Sequence, residues 1–395
     1  MTARPLRVCF VVPYYAEGRE SVDIDRYLSE TPIHRALPRA LAARGHQVQV
    51  VHLFPREVEW WEGGVRHHFV RAGRGARTLG HWVGRLRGRD RAYYEPAWRA
   101  IERVRACRPD IVHVHGATLN LNLHLLLRAL GTETPVVLHY HGGYPSRHRL
   151  VRRLQRANFA RAACYCFTTQ EHAQPFVETG VIARPERVVE LMETSSSFRP
   201  SEREPARALT GMQGDPVFLW VGRLHPIKDP LTALRGFERV LAAWPEAQLY
   251  LHYLSDECLP LLRGYLTERP ALRAHVHPRG PAPFERMETI YNSADFLLQA
   301  SLREFSGCAV LEAMACGTIP VVTDIPSFRR MTGDGQAGVL FPRGDDRALA
   351  AGVLALGRDQ IASSARETRA RFERELSFAS LAARLEEVYA GIAAP

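Results

Sequence analysis

The chain has 395 residues, 46% of them hydrophobic and 24% charged, with a formal net charge of +10. That balance belongs to a folded globular protein long enough for two domains of ordinary size, and it excludes a disordered chain. No apolar run reaches the roughly 18 residues that a membrane-spanning helix needs, so no helix is expected to cross a membrane; the reading of the cysteines as reduced thiols makes a cytoplasmic protein the expectation.

In chain order, Val8 to Val12 is an apolar run ending at Pro13. It reads as a buried strand of a parallel sheet rather than a signal sequence, because no small-residue cleavage site follows. A polar loop is expected to about Glu30, then a helix over 31–44 stopped by Gly45. Val48–Leu53, Ile111–His115 and Val136–His141 are further strands, the last two running into His-Gly. Strands separated by helix-length segments imply βαβ units, a parallel sheet and the α/β class. Ligands of such sheets sit at the carboxyl ends of the strands, which places His115, Gly116, His141 and Gly142 on one rim. Ser195, Ser196 and Ser197 then open a stretch with Pro200, Pro205, Gly211, Gly214 and Pro216, which reads as a linker holding a short helix.

The alternation restarts with strands at Val217–Val221, Gln248–Tyr253, His275–His277, Phe296–Ala300 and Ile319–Thr323. Helices are expected at Leu231–Ala243, Phe284–Ser293 and Ala309–Ala315. Leu376, Phe378, Leu381, Leu385 and Val388 recur at helical spacing and close the chain. The expected organisation is a first domain over 1–195, a linker over 196–214, a second domain over 215–375 and a closing helix over 376–395.

Twelve arginines face three acids between Arg66 and Arg108, and Arg147, Arg149, Arg152, Arg153, Arg156 and Arg161 follow with no acid among them. Such a surface suits nucleic acid, an anionic membrane or an acidic substrate, and a merely solvated surface equally well. Leu79, Trp82, Val83 and Leu86 form one apolar stripe beside Arg77, Arg85, Arg87 and Arg89. It would rest on a membrane as a peripheral anchor, although packing on its own domain is the favoured reading. No zinc finger, base-stacking motif or recognition helix is present, so nucleic acid is not an expected partner. The seven cysteines, at 9, 107, 164, 166, 258, 308 and 316, show neither a CxxC pair nor a zinc spacing. They read as reduced, buried thiols, Cys164 and Cys166 sharing one face of a strand.

Of the 52 basic residues only Lys228 is a lysine. It lies in VGRLHPIKDP, residues 221–230, where a strand ends at Gly222 and the loop offers two cations, Arg223 and Lys228. A guanidinium fork and a compact ammonium at a strand's carboxyl end suit a diphosphate. In REFSGCAVLEAMACG, residues 303–317, Glu304 follows a strand, and Ser306 and Gly307 form a tight turn. The helix start around Gly307, Cys308 and Ala309 makes an anion site. Glu312 lies one turn further on, where a carboxylate accepts from two sugar hydroxyls. The spacing alone is weak, since Glu178 and Glu186 are separated in the same way. PVVTD, 320–324, ends near this segment, and Arg279 with Gly280 follows a short strand where backbone would meet a flat base.

Taken together, VGRL with Lys228, then EFSG followed by LEAMACGTIPVVTD, resembles family 4 of the retaining glycosyltransferases. HRALPRALAARGHQVQVV at 34–51, DIVHVHG at 110–116 and the His141-Gly142 pair are similar to that family as well. The resemblance implies the GT-B fold, two Rossmann-like parallel-sheet domains facing across a cleft, with the last helix crossing back to the first domain. It implies that Glu304 and Glu312 contact the donor sugar and the ribose, that Arg223 and Lys228 bind the diphosphate, and that His141 reaches the transferred sugar. The acceptor side would include His34, His115 and Gly142. Of His113 and His115, one is expected to be buried packing.

Two departures stand out. The family's Gly-Gly pair before the position of His34 is replaced by YLSETPIH, and Asn-Gly-Val-Asp before the linker by LMETSSSF at 191–198. The activity implied is transfer of a hexose-type sugar from a UDP- or GDP-sugar to a hydroxyl acceptor with retention. The acceptor is open among lipid, glycan and small molecule. Arg223, Lys228 and the helix start stabilise the leaving diphosphate with no metal or cofactor. The alternatives are an epimerase or phosphorylase of the same fold, or a basic nucleic-acid- or membrane-binding protein with a non-catalytic sugar-nucleotide fold.

Overall fold

A computed structural model describes residues 4–13, 23–71, 97–118 and 120–393, in two compact units. The stripe around Leu79, Trp82, Val83 and Leu86, with its neighbouring arginines, lies outside the described residues. No helix among the described residues is long and apolar enough to cross a membrane, and all seven cysteines are free.

The first unit comprises Met1–Thr194 and Phe378–Pro395. Its sheet runs β3-β4-β2-β1-β5-β6-β7-β8. The strands are β1 Arg7–Val12, β2 Gln47–Leu53, β3 Val58–Glu62, β4 Val65–Val70, β5 Ile111–His115, β6 Val136–His139, β7 Cys164–Phe167 and β8 Val188–Glu190. All pairings are parallel except the β3–β4 hairpin at one edge. β1 is buried from Val8 to Val12, which is why its sequence is a continuous apolar run instead of an alternating one.

Of the polar loop expected to about Glu30, residues 14–22 lie outside the described residues, and the last seven residues are instead a helix, Ile24–Glu30. Asp23 caps it by accepting from the Asp25 and Arg26 N–H groups. Only Ile24, Tyr27 and Leu28, one narrow stripe, are buried, so the segment reads as polar although it is helical. Thr31 ends it, and Pro32 opens the next helix, Pro32–Ala42. The glycine-free YLSETPIH is therefore two helices meeting at one residue. β6 ends at His139, two residues short of the expectation, and leaves His141 and Gly142 in the loop.

The interior of this unit is unusually rich in imidazole. His52, His67, His113, His115 and His139 are fully buried beside Phe10, Phe69, Tyr27 and Tyr389. His52 Nε2 lies 3.1 Å from His67 Nδ1. His113 bridges His139, at 3.1 Å, and the hydroxyl of Tyr389, at 2.7 Å. Tyr389 belongs to the helix Phe378–Ala393, whose Glu386 also pairs with Arg44 and, at 3.3 Å, with His46.

The second unit is Ser195–Ser377. Its all-parallel sheet has the order β11-β10-β9-β12-β13-β14. The strands are β9 Val217–Gly222, β10 Gln248–Tyr253, β11 Val276–Gly280, β12 Phe296–Gln299, β13 Ile319–Thr323 and β14 Val339–Phe341. The order reverses between β9 and β12, so the loops leaving those two strands diverge and open a crevice at their carboxyl ends. The stretch 196–214 lies within this unit and contains the helix Arg203–Thr210. It is tied down by Ser201 N–H to Asn292 Oδ1, at 2.8 Å, and Arg199 N–H to Glu288 Oε1, at 2.6 Å.

Asp295, at the start of β12, is the buried polar junction of the unit. Its carboxylate accepts from Arg203, Arg207 and the Val217 N–H, each at 2.7 Å. Its backbone joins Val217 and Ile319, at 2.8 and 2.9 Å. Asp295→Ala strands two guanidinium groups, and urea unfolding should show a loss of about 3–5 kcal/mol.

Burial drives the imidazoles of His52, His115 and His139 well below their ordinary value, His67 and His141 to about 4 and His113 to about 3. A depressed base is fully stabilising above the unfolded value of about 6.5 and loses that contribution as pH falls toward its folded value. Urea midpoints should therefore collapse between pH 6.5 and 4. His67, His113 and His141 each remove on the order of 1 kcal/mol per pH unit in that window. A flat profile down to pH 5 would contradict this account.

Candidate active site

The crevice of the second unit is built by two loops. After Gly222 the chain turns through exposed Arg223 to Leu224, a fully buried anchor. His225 Nδ1 accepts the Ile227 N–H at 3.1 Å, and Pro226–Lys228 forms a tight 3₁₀ turn. Asp229 then sits in the left-handed region, φ 42°, and caps the helix Pro230–Ala243, accepting from Thr232 N–H at 3.3 Å and from its hydroxyl at 2.6 Å. An aspartate tolerates that conformation because its short side chain bonds locally. Lys228 is thereby pinned between two fixed turns.

The second loop leaves β12. Leu302 N–H donates to the Ile227 carbonyl at 2.8 Å, stitching the two loops together. Lys228 forms an ion pair with Glu304, both side chains about 15% exposed. Fully buried Ser301 donates to Glu304 Oε1 at 2.9 Å. Thr323, at the end of β13, donates to the Ser301 carbonyl at 2.6 Å. Ser306 is buried beside Gly307, the N-terminal cap of the helix Cys308–Cys316. Gly307 has φ 65°, and a Cβ there would lie 2.7 Å from the Phe328 ring, so both backbone and space demand glycine. The turn aims the positive end of the helix, around Cys308 and Ala309, at the same loop.

Glu312 lies one turn into that helix. The Tyr291 hydroxyl, from the helix Phe284–Asn292, donates to Glu312 Oε2 at 2.6 Å. Burial pushes the Glu312 carboxyl up to about 7, and the tyrosine bond pulls the other way. Burial, then the neighbouring Glu312, drives the Tyr291 phenol well above its ordinary value.

Arg279 and Gly280 are the last residues of β11 rather than following it. Gly280 has φ 71°, and its carbonyl accepts from His252 at 3.2 Å. Arg279 is exposed, its guanidinium 5.4 Å from the Tyr250 ring centre. At about 4.8 Å per strand they lie roughly 10 Å across the sheet from β9.

In the first unit, His115 Nδ1 lies 2.7 Å from His141 Nε2. Buried His34 stands edge-on to His115, ring centres 5.3 Å apart, and His34 Nδ1 lies 3.4 Å from the Tyr27 hydroxyl. Gly142 has φ 94° and accepts from Thr118 at 3.4 Å. Of His113 and His115, both are fully buried, because residues two apart on a strand share one face and this face is covered. His34, His115, His141 and Gly142 are thus neighbours in one unit. Lys228, Glu304, Ser306, Gly307, Cys308, Ala309 and Glu312 line one rim of the other.

Among the described residues, only His113, His115 and His139 bring potential metal-ligand atoms from three side chains within 4.8 Å. Holding an ion there would require breaking the His113–His139 bond. Sequence reasoning missed Ser301 and Tyr291. Both reach the glutamates through side-chain bonds that no local pattern announces.

Comparisons with known proteins agree with this architecture. The family model described as Glycosyl transferase 4-like domain matches residues 33–191, and that described as Glycosyl transferases group 1 matches residues 215–359. The chain is similar to D-inositol 3-phosphate glycosyltransferase of Thermobispora bispora, 31% identical over 204 residues, covering 49% of this chain and 47% of that protein. The alignment thus spans about half the length of that curated relative. Among solved structures, sucrose-phosphate synthase of Thermosynechococcus elongatus superposes with a TM-score of 0.68 at 19% identity, covering 98% and 99% of the two chains. Anabaena HepE in complex with UDP and glucose gives 0.65 at 14% identity, covering 98% and 100%. At these identities the two structures establish the fold alone.

A carboxyl raised from 4.5 to about 7 destabilises the folded chain once it ionises. That penalty is absent below about pH 4.5, grows through pH 7 and is constant above. Glu312→Gln should therefore stabilise the ligand-free protein at pH 8 by on the order of 1–3 kcal/mol, and by less than half as much at pH 5. Urea unfolding at the two pH values measures it, and equal effects at both would refute the buried-carboxylate account.

Proposed function

Because the chain belongs to family 4 of the glycosyltransferases and has the GT-B fold, we propose that it transfers a hexose-type sugar from a UDP- or GDP-sugar to a hydroxyl acceptor. The proposed transfer retains the anomeric configuration and needs no metal ion. The observation that carries the proposal is the grouping of Lys228, Glu304 and Ser301 beside a glycine-capped helix start at the strand-order reversal.

Each group has a defined task in this reading. The leaving nucleoside diphosphate gains negative charge as the glycosidic bond breaks. The helix start around Gly307, Cys308 and Ala309 meets that charge with groups already oriented, and Arg223 and Lys228 add two cations. Without donor, Lys228 is neutralised by Glu304; with donor, the ammonium turns to phosphate and Glu304 to the sugar hydroxyls. Glu312 accepts from the ribose hydroxyls, and does so more strongly when ionised. Ser306 and Gly222 shape the phosphate loop, and Arg279 with Gly280 borders the base. His141, with its imidazole pushed down to about 4, acts as a neutral hydrogen-bond partner for the sugar and not as a cation. Retention follows from attack on the face from which the diphosphate departs. Glu304 binds in this scheme and does not attack.

The relative's name makes a phosphorylated cyclitol the first acceptor to assay, and the UDP-bound neighbour makes UDP the first nucleotide.

Thermal unfolding with UDP, GDP, ADP and their sugar conjugates tests the donor site. One nucleotide at about 100 times its dissociation constant should stabilise the protein by about 3 kcal/mol. Lys228→Ala and Glu312→Ala should each cut that shift to about half or less. A folded protein that responds to none of these ligands would overturn the transferase reading.

A further inference from the structure

Glu312 is a carboxylate that two features make inefficient as a hydrogen-bond acceptor for sugar hydroxyls. It is half-buried, which favours its neutral form, and a glutamate on a helix surface otherwise rotates freely. Tyr291 answers both. Its ring is fully buried, and its hydroxyl donates to Oε2 at 2.6 Å. No hydrogen bond among the described residues occupies Oε1.

The ring is itself anchored. Thr318 donates to the Tyr291 carbonyl at 2.7 Å. The next residue, Asn292, accepts from Ser201 N–H at 2.8 Å and donates to the Arg199 and Glu288 carbonyls, each at 2.9 Å. The Phe198 ring packs 6.0 Å from the Tyr291 ring. The segment after the first unit therefore clamps the helix that carries the tyrosine.

We propose that Tyr291 is the positioning residue for recognition of the donor ribose: by holding Oε2 it leaves Oε1 of Glu312 fixed to accept the two ribose hydroxyls. The proposal rests on the donor-site reading given above. It assigns Tyr291 an effect through Glu312 alone, so its influence should vanish when the ribose hydroxyls are removed from the ligand. A structural role would weaken every ligand alike.

The experiment is calorimetric titration of the full chain with UDP and 2′,3′-dideoxy-UDP, and with the guanosine pair in parallel, for the parent, Tyr291→Phe and Glu312→Gln. Hydrogen bonds to a charged acceptor predict that the parent prefers the ribose form by about 10- to 100-fold. Tyr291→Phe, which keeps the buried ring, should reduce that preference below about 5-fold while leaving dideoxy binding within about 3-fold of the parent. Unchanged dideoxy binding also certifies that the variant is folded. The pH at which UDP affinity rises should move upward in Tyr291→Phe, because the bond that favours the ionised carboxyl is gone.

Full ribose preference in Tyr291→Phe, or an equal loss for both ligands, would overturn the role of Tyr291 and leave the donor site standing. A parent that binds the nucleotides without preferring ribose would overturn both the role of Tyr291 and the ribose contact of Glu312, and leave only the diphosphate part of the donor site standing. A folded parent that binds neither nucleotide would overturn the donor site itself, and the role of Tyr291 with it.

Discussion

Much of the second unit depends on one buried carboxylate. Asp295 sits where β12 begins and is closed on by two guanidinium groups and the first N–H of β9. A charge in that position is tolerable only while all of these partners are present. Its backbone simultaneously bonds β9 and β13. A slip of any of the three strands by one residue would take the pairing apart and turn the strand's apolar residues to the wrong face. The strands therefore leave the sheet at fixed heights. The loops at the far ends of β9 and β12 carry Arg223 and Lys228, and Ser301 and Glu304, and Thr323 closes β13 beside them. The placement of charge at the crevice is set from the opposite edge of the sheet.

Local conformation completes what register begins. Asp229 and Gly307 both occupy the left-handed region, and each ends a loop and starts a helix. One aims a helix behind Lys228 and the other aims a helix start into the crevice. In the first unit, buried imidazoles share the interior with the valines and leucines of the parallel sheet. They remain tolerable because the Tyr389–His113–His139 contacts satisfy part of their bonding capacity.

Strands were the most legible elements. Gln248–Tyr253 and Ile319–Thr323 were expected with those bounds and form β10 and β13, the first with a buried apolar centre between partly exposed ends and the second buried along its whole length. Ile24–Glu30 was illegible because its stability comes from a cap and three apolar residues, too few to show a period. The glutamates were singled out by context and family resemblance, since their spacing recurs elsewhere in the chain, and Arg223 and Lys228 by their place after a strand end, Lys228 being the only lysine. The Lys228–Glu304 pair joins residues 76 apart, and the Tyr291–Glu312 bond joins residues 21 apart on different helices. Contacts of that kind are products of topology, and no periodicity in a single segment encodes them.

The first unit is not continuous in sequence: its last helix, Phe378–Ala393, is made only after all of the second unit. The contact between His113 and Tyr389 spans 276 residues. On the ribosome, the second unit can complete its own core as one uninterrupted stretch. The first emerges earlier yet waits, with the helix Pro32–Ala42 and the buried edge of His113 lacking their cover. Leu381, Ala382, Leu385 and Tyr389, all buried in the finished fold, arrive last. Maturation of the nascent chain is therefore out of order, the earlier-born half being finished second, and the interval between is when it most needs shelter from aggregation.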